Sequence, residues 1–237
     1  MEVYNIKAKR CGNIIKIHKY KKGILRGYKT KSSPTILRTR NLNTPESIER
    51  RKNNLTRLRS NFIDLINHNF TNKDLFITLT YEKDVEHVEV KKDFDKFIKK
   101  LKYRFGKNIK YAYVKKYDKL KSRYHYHIVV NIDYIGIDEF KEIWIHGFSQ
   151  ISKIENVNHV ATYMANNIKD KDIENNKTNI KFFNKSRNCK NPEWVYGFDA
   201  EKISLDARYK SNGKIKFHKK YNSEYVGEME IITYEID

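Results

Sequence analysis

Two extended segments, 110–117 and 124–132, are separated by only the six polar residues 118–123, and this spacing constrains the fold more than any other feature of the chain. A parallel return needs a crossover of a dozen or more residues, so the two segments are expected to pair antiparallel. Segment 74–81, DLFITLTY, is β-branched and aromatic and reads as a further strand. Helical period surrounds it. Ile48, Leu55, Leu58, Phe62, Leu65 and Ile66 form one stripe behind Thr44-Pro45, an N-cap and first-turn pair, and Val90, Phe94, Phe97, Ile98 and Leu101 form another within 88–105. A hairpin is expected from 2–9 and 13–20 around Cys11-Gly12-Asn13. A loop follows at 23–43, with short helices at 137–145 and 157–169 and a strand near 148–154. The last sixty residues carry only weak strand signals, at 180–183, 214–218 and 228–235. The expected class is α+β, a central antiparallel sheet with helices packed on one face.

At 237 residues, with three prolines, nine glycines and no repeat, the chain is expected to be one domain. Residues 1–43 would be a basic N-terminal extension and 194–237 C-terminal strands appended to it. The 39% hydrophobic and 13% aromatic content excludes intrinsic disorder. No run of 18 apolar residues exists and the N-terminus lacks an apolar signal core, so a cytoplasmic protein with no membrane partner is expected. Cys11 and Cys189 have no metal-site spacing and read as reduced thiols.

The net charge of +20 points to a polyanionic partner. It is polarised: residues 1–52 hold 15 Lys/Arg against three acids, net +12, whereas 222–237 hold five acids and no base. A second basic run, 102–123, has nine Lys/Arg and one acid, interleaved with Tyr103, Tyr111, Tyr113 and Tyr117. That mixture suits phosphate pairing combined with base stacking on single strands. The 102–123 run is expected to border the functional face and the acidic C-terminus to lie away from it.

The most informative residues are Tyr124-His125-Tyr126-His127. Side chains alternate along a strand, so His125 and His127 leave the same face about 7 Å apart and can converge on one metal ion. Thr78 and Thr80, at alternate positions of the 74–81 strand, could hydrogen-bond beneath such a site or fill the sheet. Downstream, the 157–169 helix carries Tyr163.

In this order the motifs resemble the HUH-endonuclease superfamily, specifically the rolling-circle replication initiators of phages and plasmids. Phe76-Ile77-Thr78-Leu79-Thr80-Tyr81 resembles the family's first motif, preceded by a similar 65–70 segment. Lys121-Ser122-Arg123-Tyr124-His125-Tyr126-His127 resembles its second, with Ser122 in the glycine position. Trp144-Ile145-His146-Gly147-Phe148 resembles a W-x-x-G-f element, the stretch from Tyr163 to Lys169 the tyrosine motif, and Phe183-Asn184-Lys185-Ser186-Arg187 a basic S-R segment. The resemblance spans roughly 44–193.

It implies a ferredoxin/RRM-like palm and a metal-dependent DNA endonuclease or nucleotidyltransferase. Such an enzyme nicks and joins single-stranded or hairpin origin DNA through a 5′-phosphotyrosine, with a host polymerase or helicase as further partner in a bacterial or archaeal cell. The implied metal is Mg²⁺ or Mn²⁺ on His125, His127 and Asp118, with Glu82, Glu139 or water as competitors for the third place. Tyr163 is the implied nucleophile, with His159 one turn earlier as proton acceptor and Lys169 as a second helper. Lys115, Lys116, Lys119, Lys121, Arg123, Lys185 and Arg187 would hold DNA. The chain departs from the pattern at Asn166-Asn167, where many relatives have Lys-Tyr, and in one-tyrosine plasmid relatives the nucleophile stands at the position of Asn167. A non-catalytic DNA-binding regulator on the same scaffold, a transposase or relaxase, and an RNA-binding module are the alternative readings.

Overall fold

The structure, a computed structural model, describes residues 2–27, 44–118, 122–168, 183–223 and 226–236. The chain divides into two compact units, Glu49–Lys190 and a second built from Met1–Ile48 with Asn191–Asp237. Both are antiparallel sheets with helices, so the class is α+β.

In the 49–190 unit the strands are β3 (Leu75–Tyr81), β4 (Tyr111–Asp118), β5 (Arg123–Val130), β6 (Gly147–Lys153) and β7 (Phe183–Lys185), in the order β6-β3-β5-β4-β7. The expected β4–β5 pair forms antiparallel, from Tyr111 opposite Val130 to Asp118 opposite Arg123. Ser122, in the glycine position of its motif, enters β5 at φ 47°, the left-handed region that glycine occupies without strain. Gly147 has φ 146°, and a Cβ there would lie 2.4 Å from the Thr80 carbonyl oxygen, so glycine lets β6 join β3.

Helices cover both faces of this sheet, where one was expected. On one face α2 (His87–Phe105) and α3 (Ile137–Ile143) seat Val90, Phe94, Phe97, Leu101 and Phe140 against Leu75, Ile77, Leu79 and Tyr81. On the other, α1 (Pro45–Asn69) and α4 (Val157–Asn166) bring Phe62, Leu65, Ile66, Met164 and Ala165 against Ala112, Val114 and Val129. The reason lies in β5, whose Ile128-Val129-Val130 run is buried without alternation, as in a strand enclosed from both sides. Complete burial of Phe62 or Phe97 contributes about 2 to 3 kcal/mol each. The Thr44 cap forms as expected, its hydroxyl accepting from the Ser47 N–H at 3.2 Å. Ile48, in the first turn of α1, is exposed.

The other unit has strands β1 (Val3–Cys11), β2 (Ile14–Leu25), β8 (Val195–Tyr196), β9 (Ile215–Ser223) and β10 (Gly227–Glu235), ordered β8-β1-β2-β10-β9. The hairpin turns at Gly12-Asn13, with Gly12 at φ 62°. The two segments expected as appendages thus share one sheet: β10 lies between β2 and β9. Its acids are ion-paired there, Glu228 with Lys21 at 3.1 Å and Glu230 with His218 at 2.7 Å. The sequence reading missed α5 (Gly197–Lys210), which buries only Ala200 and Ala207 while Phe198 and Leu205 face solvent. A helix that packs through two alanines has no apolar stripe to read.

Candidate active site

The site is set by strand register. Directly opposed residues of antiparallel strands share a face, and here Thr80 opposes His125, which opposes Lys116, while Thr78 opposes His127, which opposes Val114. Both imidazoles therefore hang over one face, each with a threonine beside it. Thr80 Oγ1 lies 2.9 Å from His125 Nδ1 and Thr78 Oγ1 lies 3.3 Å from His127 Nδ1. Of the two roles left open for these threonines, hydrogen bonding is the one that forms. Such bonds fix ring orientation and direct Nε2 as the remaining donor.

His127 is only 6% exposed. Burial, then His125 and Lys116, push its imidazole down to about 4. It is therefore neutral at pH 7, the form that ligates a cation. In the unfolded chain it titrates near 6.5, so between the two values the unfolded state binds the extra proton. Stability is then complete above about pH 6.5 and falls as pH drops towards about 4, by about 3 kcal/mol in total. Urea midpoints from pH 7 to pH 4 should show this loss, and His127→Gln should flatten the part that His127 causes.

Tyr163 reaches the pair from α4. Its ring meets His127 edge-on at 5.2 Å between centroids and Phe76 at 5.8 Å, while Phe76 stacks on His127 at 6.0 Å and 14°. With 51% exposure Tyr163 is open to a ligand. Contacts from outside α4 hold the helix there. Arg59 donates to the Ile168 carbonyl just beyond it at 2.9 Å, Asn67 Nδ2 donates to Asn158 Oδ1 at 3.0 Å, and Asn72 Oδ1 accepts from the Val157 N–H at 3.2 Å. None of Arg59, Asn67, Asn72 or Phe76 was singled out from the sequence, because their partners are distant in the chain. Asn167 donates to the Tyr163 carbonyl at 2.9 Å and so closes the end of the helix.

The other expected site residues are scattered more widely. His159 is exposed in the first turn of α4, its N–H capped by Asn156 Oδ1 at 3.0 Å. Asp118 is on the histidine face but one row further out, opposite Arg123. Glu82 is exposed beyond the end of β3, and Glu139 pairs with Arg104 on α3, on the opposite face. Among the described residues no three His, Cys, Asp or Glu side chains converge as a metal-binding group. The two imidazoles fit a divalent ion as its protein nitrogen donors: they share a face, their Nδ1 atoms lie against hydroxyls, and His127 is neutral. Gln150 of β6, opposite Thr78, adds a neutral amide to the same row.

Of the expected DNA-binding residues, Lys116 and Arg123 share the histidine face. Lys115 does not. One residue away in a strand, it points to the other side, where its amine lies 5.5 Å from the Tyr124 ring centroid and burial lowers its pKa. The basic 102–123 run is therefore divided between faces, and Lys102 likewise sits over Tyr111 at 5.8 Å. Lys185 is committed to structure, its amine donating to the Cys189 carbonyl at 2.7 Å. Ser186 is buried and accepts from the Tyr111 N–H at 3.1 Å, which ties β7 to β4, and Arg187 is exposed beside it. Lys119, Lys121 and Lys169 lie outside the described residues. Cys11 and Cys189 are free thiols, both buried.

Among the described residues no helix is long and apolar enough to cross a membrane. Among curated proteins and among solved structures, nothing matches the chain. Residues 74–172, which run from β3 through the histidine strand to beyond α4, match the family model of the replication-associated protein ORF2.

Proposed function

We propose that the chain is an HUH-type nickase that cuts and rejoins single-stranded or hairpin DNA to begin rolling-circle replication of a phage or plasmid. The observation that carries this reading is Tyr163 edge-on to His127 within a segment that matches a replication-associated family. Tyr163 Oη attacks the scissile phosphorus, the P–O3′ bond breaks, and a 5′-phosphotyrosyl ester forms as the 3′ oxygen leaves and takes up a proton. The phenol proton passes to water or to His159. Because the ester conserves the phosphodiester, attack by the free 3′-OH reverses the step with no nucleoside triphosphate. A divalent ion, Mg²⁺ or Mn²⁺, held by His125 and His127 supplies Lewis-acid charge to the phosphate when bound. Lys116 and Arg123 pair with flanking phosphates. The 3′-OH then primes a host polymerase, working with a helicase.

The test is incubation with a 3′-labelled pool of random-sequence hairpin oligonucleotides and Mn²⁺, read on a denaturing gel. A covalent band that EDTA abolishes is expected, and the captured strand would reveal the origin sequence. Binding with no adduct in either metal would overturn the reading in favour of a non-catalytic replication regulator.

The threonine bonds give a separate prediction. Thr80→Val keeps the shape but removes the hydroxyl at His125, and should lower apparent Mn²⁺ affinity in the nicking assay about 10- to 100-fold, with Thr80→Ser largely restored. Equal Mn²⁺ dependence in all three proteins would remove the threonine from the site.

A further inference from the structure

We infer that the sheet of the other unit carries a second, non-catalytic site for single-stranded DNA, which binds by base stacking on one face. The two faces of this sheet are chemically different, by strand alternation. One is the core face, where Ile6, Ala8, Ile15 and Ile17 meet Ala200 and Ala207 of α5. It also takes Glu228 and Glu230, which neutralise Lys21 and His218.

The opposite face collects rings and cations. Register places Tyr20 opposite Met229 and Met229 opposite Tyr221, with Tyr196, Lys7, His18, Ile231 and Lys219 forming the next row. Tyr4 packs against Tyr196 at 4.7 Å and Tyr20 at 6.0 Å. The amines of Lys7 and Lys9 lie 4.6 and 4.4 Å from the Trp194 ring, Arg26 is 4.5 Å from Tyr196, and Lys219 is 5.6 Å from Tyr221. Among the described residues the one carboxylate at a strand position of this face is Glu235, at the end of β10 and ion-paired to Lys216. Phe217 and Tyr221 on the edge strand β9 are 48% and 37% exposed.

Lysines held over rings, with the acids turned to the other side, match a ligand that offers flat bases on a polyanionic backbone. Duplex DNA hides its base faces and a membrane surface offers none, so the match is to single strands. The sequence charge alone implied phosphate contact from residues 1–52. The structure adds stacking and brings in β8, β9 and β10 from the other end of the chain.

Trp194 supplies the readout, since the other tryptophan, Trp144, is buried in the core of the 49–190 unit. The full chain should be titrated in EDTA, where strand cleavage cannot contribute, with short oligo(dT), with the corresponding duplex and with heparin. Saturable quenching of tryptophan emission by oligo(dT) is expected. Phe217→Ala combined with Tyr221→Ala should weaken it about 10- to 100-fold with an unchanged thermal midpoint, whereas Lys220→Ala on the opposite face should leave the affinity within about twofold. Quenching and affinity unaffected by the double variant, or heparin or duplex equalling oligo(dT), would overturn the site. A chain that binds in this way but never nicks would leave this inference standing and remove only the proposed chemistry.

Discussion

Tyr163→Phe should abolish covalent adduct formation, lowering it by more than about 10³-fold, and leave single-strand affinity within a few-fold. The substitution deletes one oxygen. It keeps the ring that packs edge-on against His127 and Phe76, and the side chain is half exposed, so stability should change by less than about 0.5 kcal/mol. The assay is the denaturing-gel band from 3′-labelled hairpins, with binding followed by anisotropy in EDTA. A surviving adduct would transfer the nucleophile to another tyrosine, and peptide mapping of the trapped DNA would identify it. Asn167, where one-tyrosine relatives place their nucleophile, has no hydroxyl to attack with, and its amide is bonded to the Tyr163 carbonyl.

The second large effect is expected at the histidines. His125→Ala and His127→Ala should each reduce nicking by more than about 10³-fold, and the double variant should be no worse than either single one, because two donors to one ion act as a unit. His127 is buried against Phe76, so its removal also leaves a cavity, with a cost of about 1 to 3 kcal/mol in urea unfolding. His125 is only half-buried and makes the cleaner test. Additive losses, or nicking that persists in EDTA, would refute a shared metal role. DNA affinity should hold in all three variants, since Lys116 and Arg123 remain.

Much of the architecture was legible in the sequence because it rests on short-range rules. The Thr44-Pro45 helix start, the α2 stripe from Val90 to Leu101 and the β4–β5 pair all follow from capping, period and loop length, and all three form. Failures occurred where local pattern carries no signal. Helix α5 packs through Ala200 and Ala207, so no stripe marks it. Lys115 and Lys116 are indistinguishable as neighbours in a charge run, yet strand alternation sends one to the α2 side and the other to the histidines. Lys185 reads as a DNA contact until its amine is found on the Cys189 carbonyl.

By itself the sequence determined that His125 and His127 share a face, because a strand's period of two admits no other outcome, and that the net charge of +20 requires a polyanionic partner. Tertiary structure decided what stands around them. Thr78 and Thr80 reach the imidazoles only through the β3–β5 register, and Tyr163 lies beside His127 only because Arg59, Asn67 and Asn72 hold α4 from distant parts of the chain. Likewise, the two chain ends meet in one sheet because β10 hydrogen-bonds between β2 and β9, a pairing that no local pattern encodes.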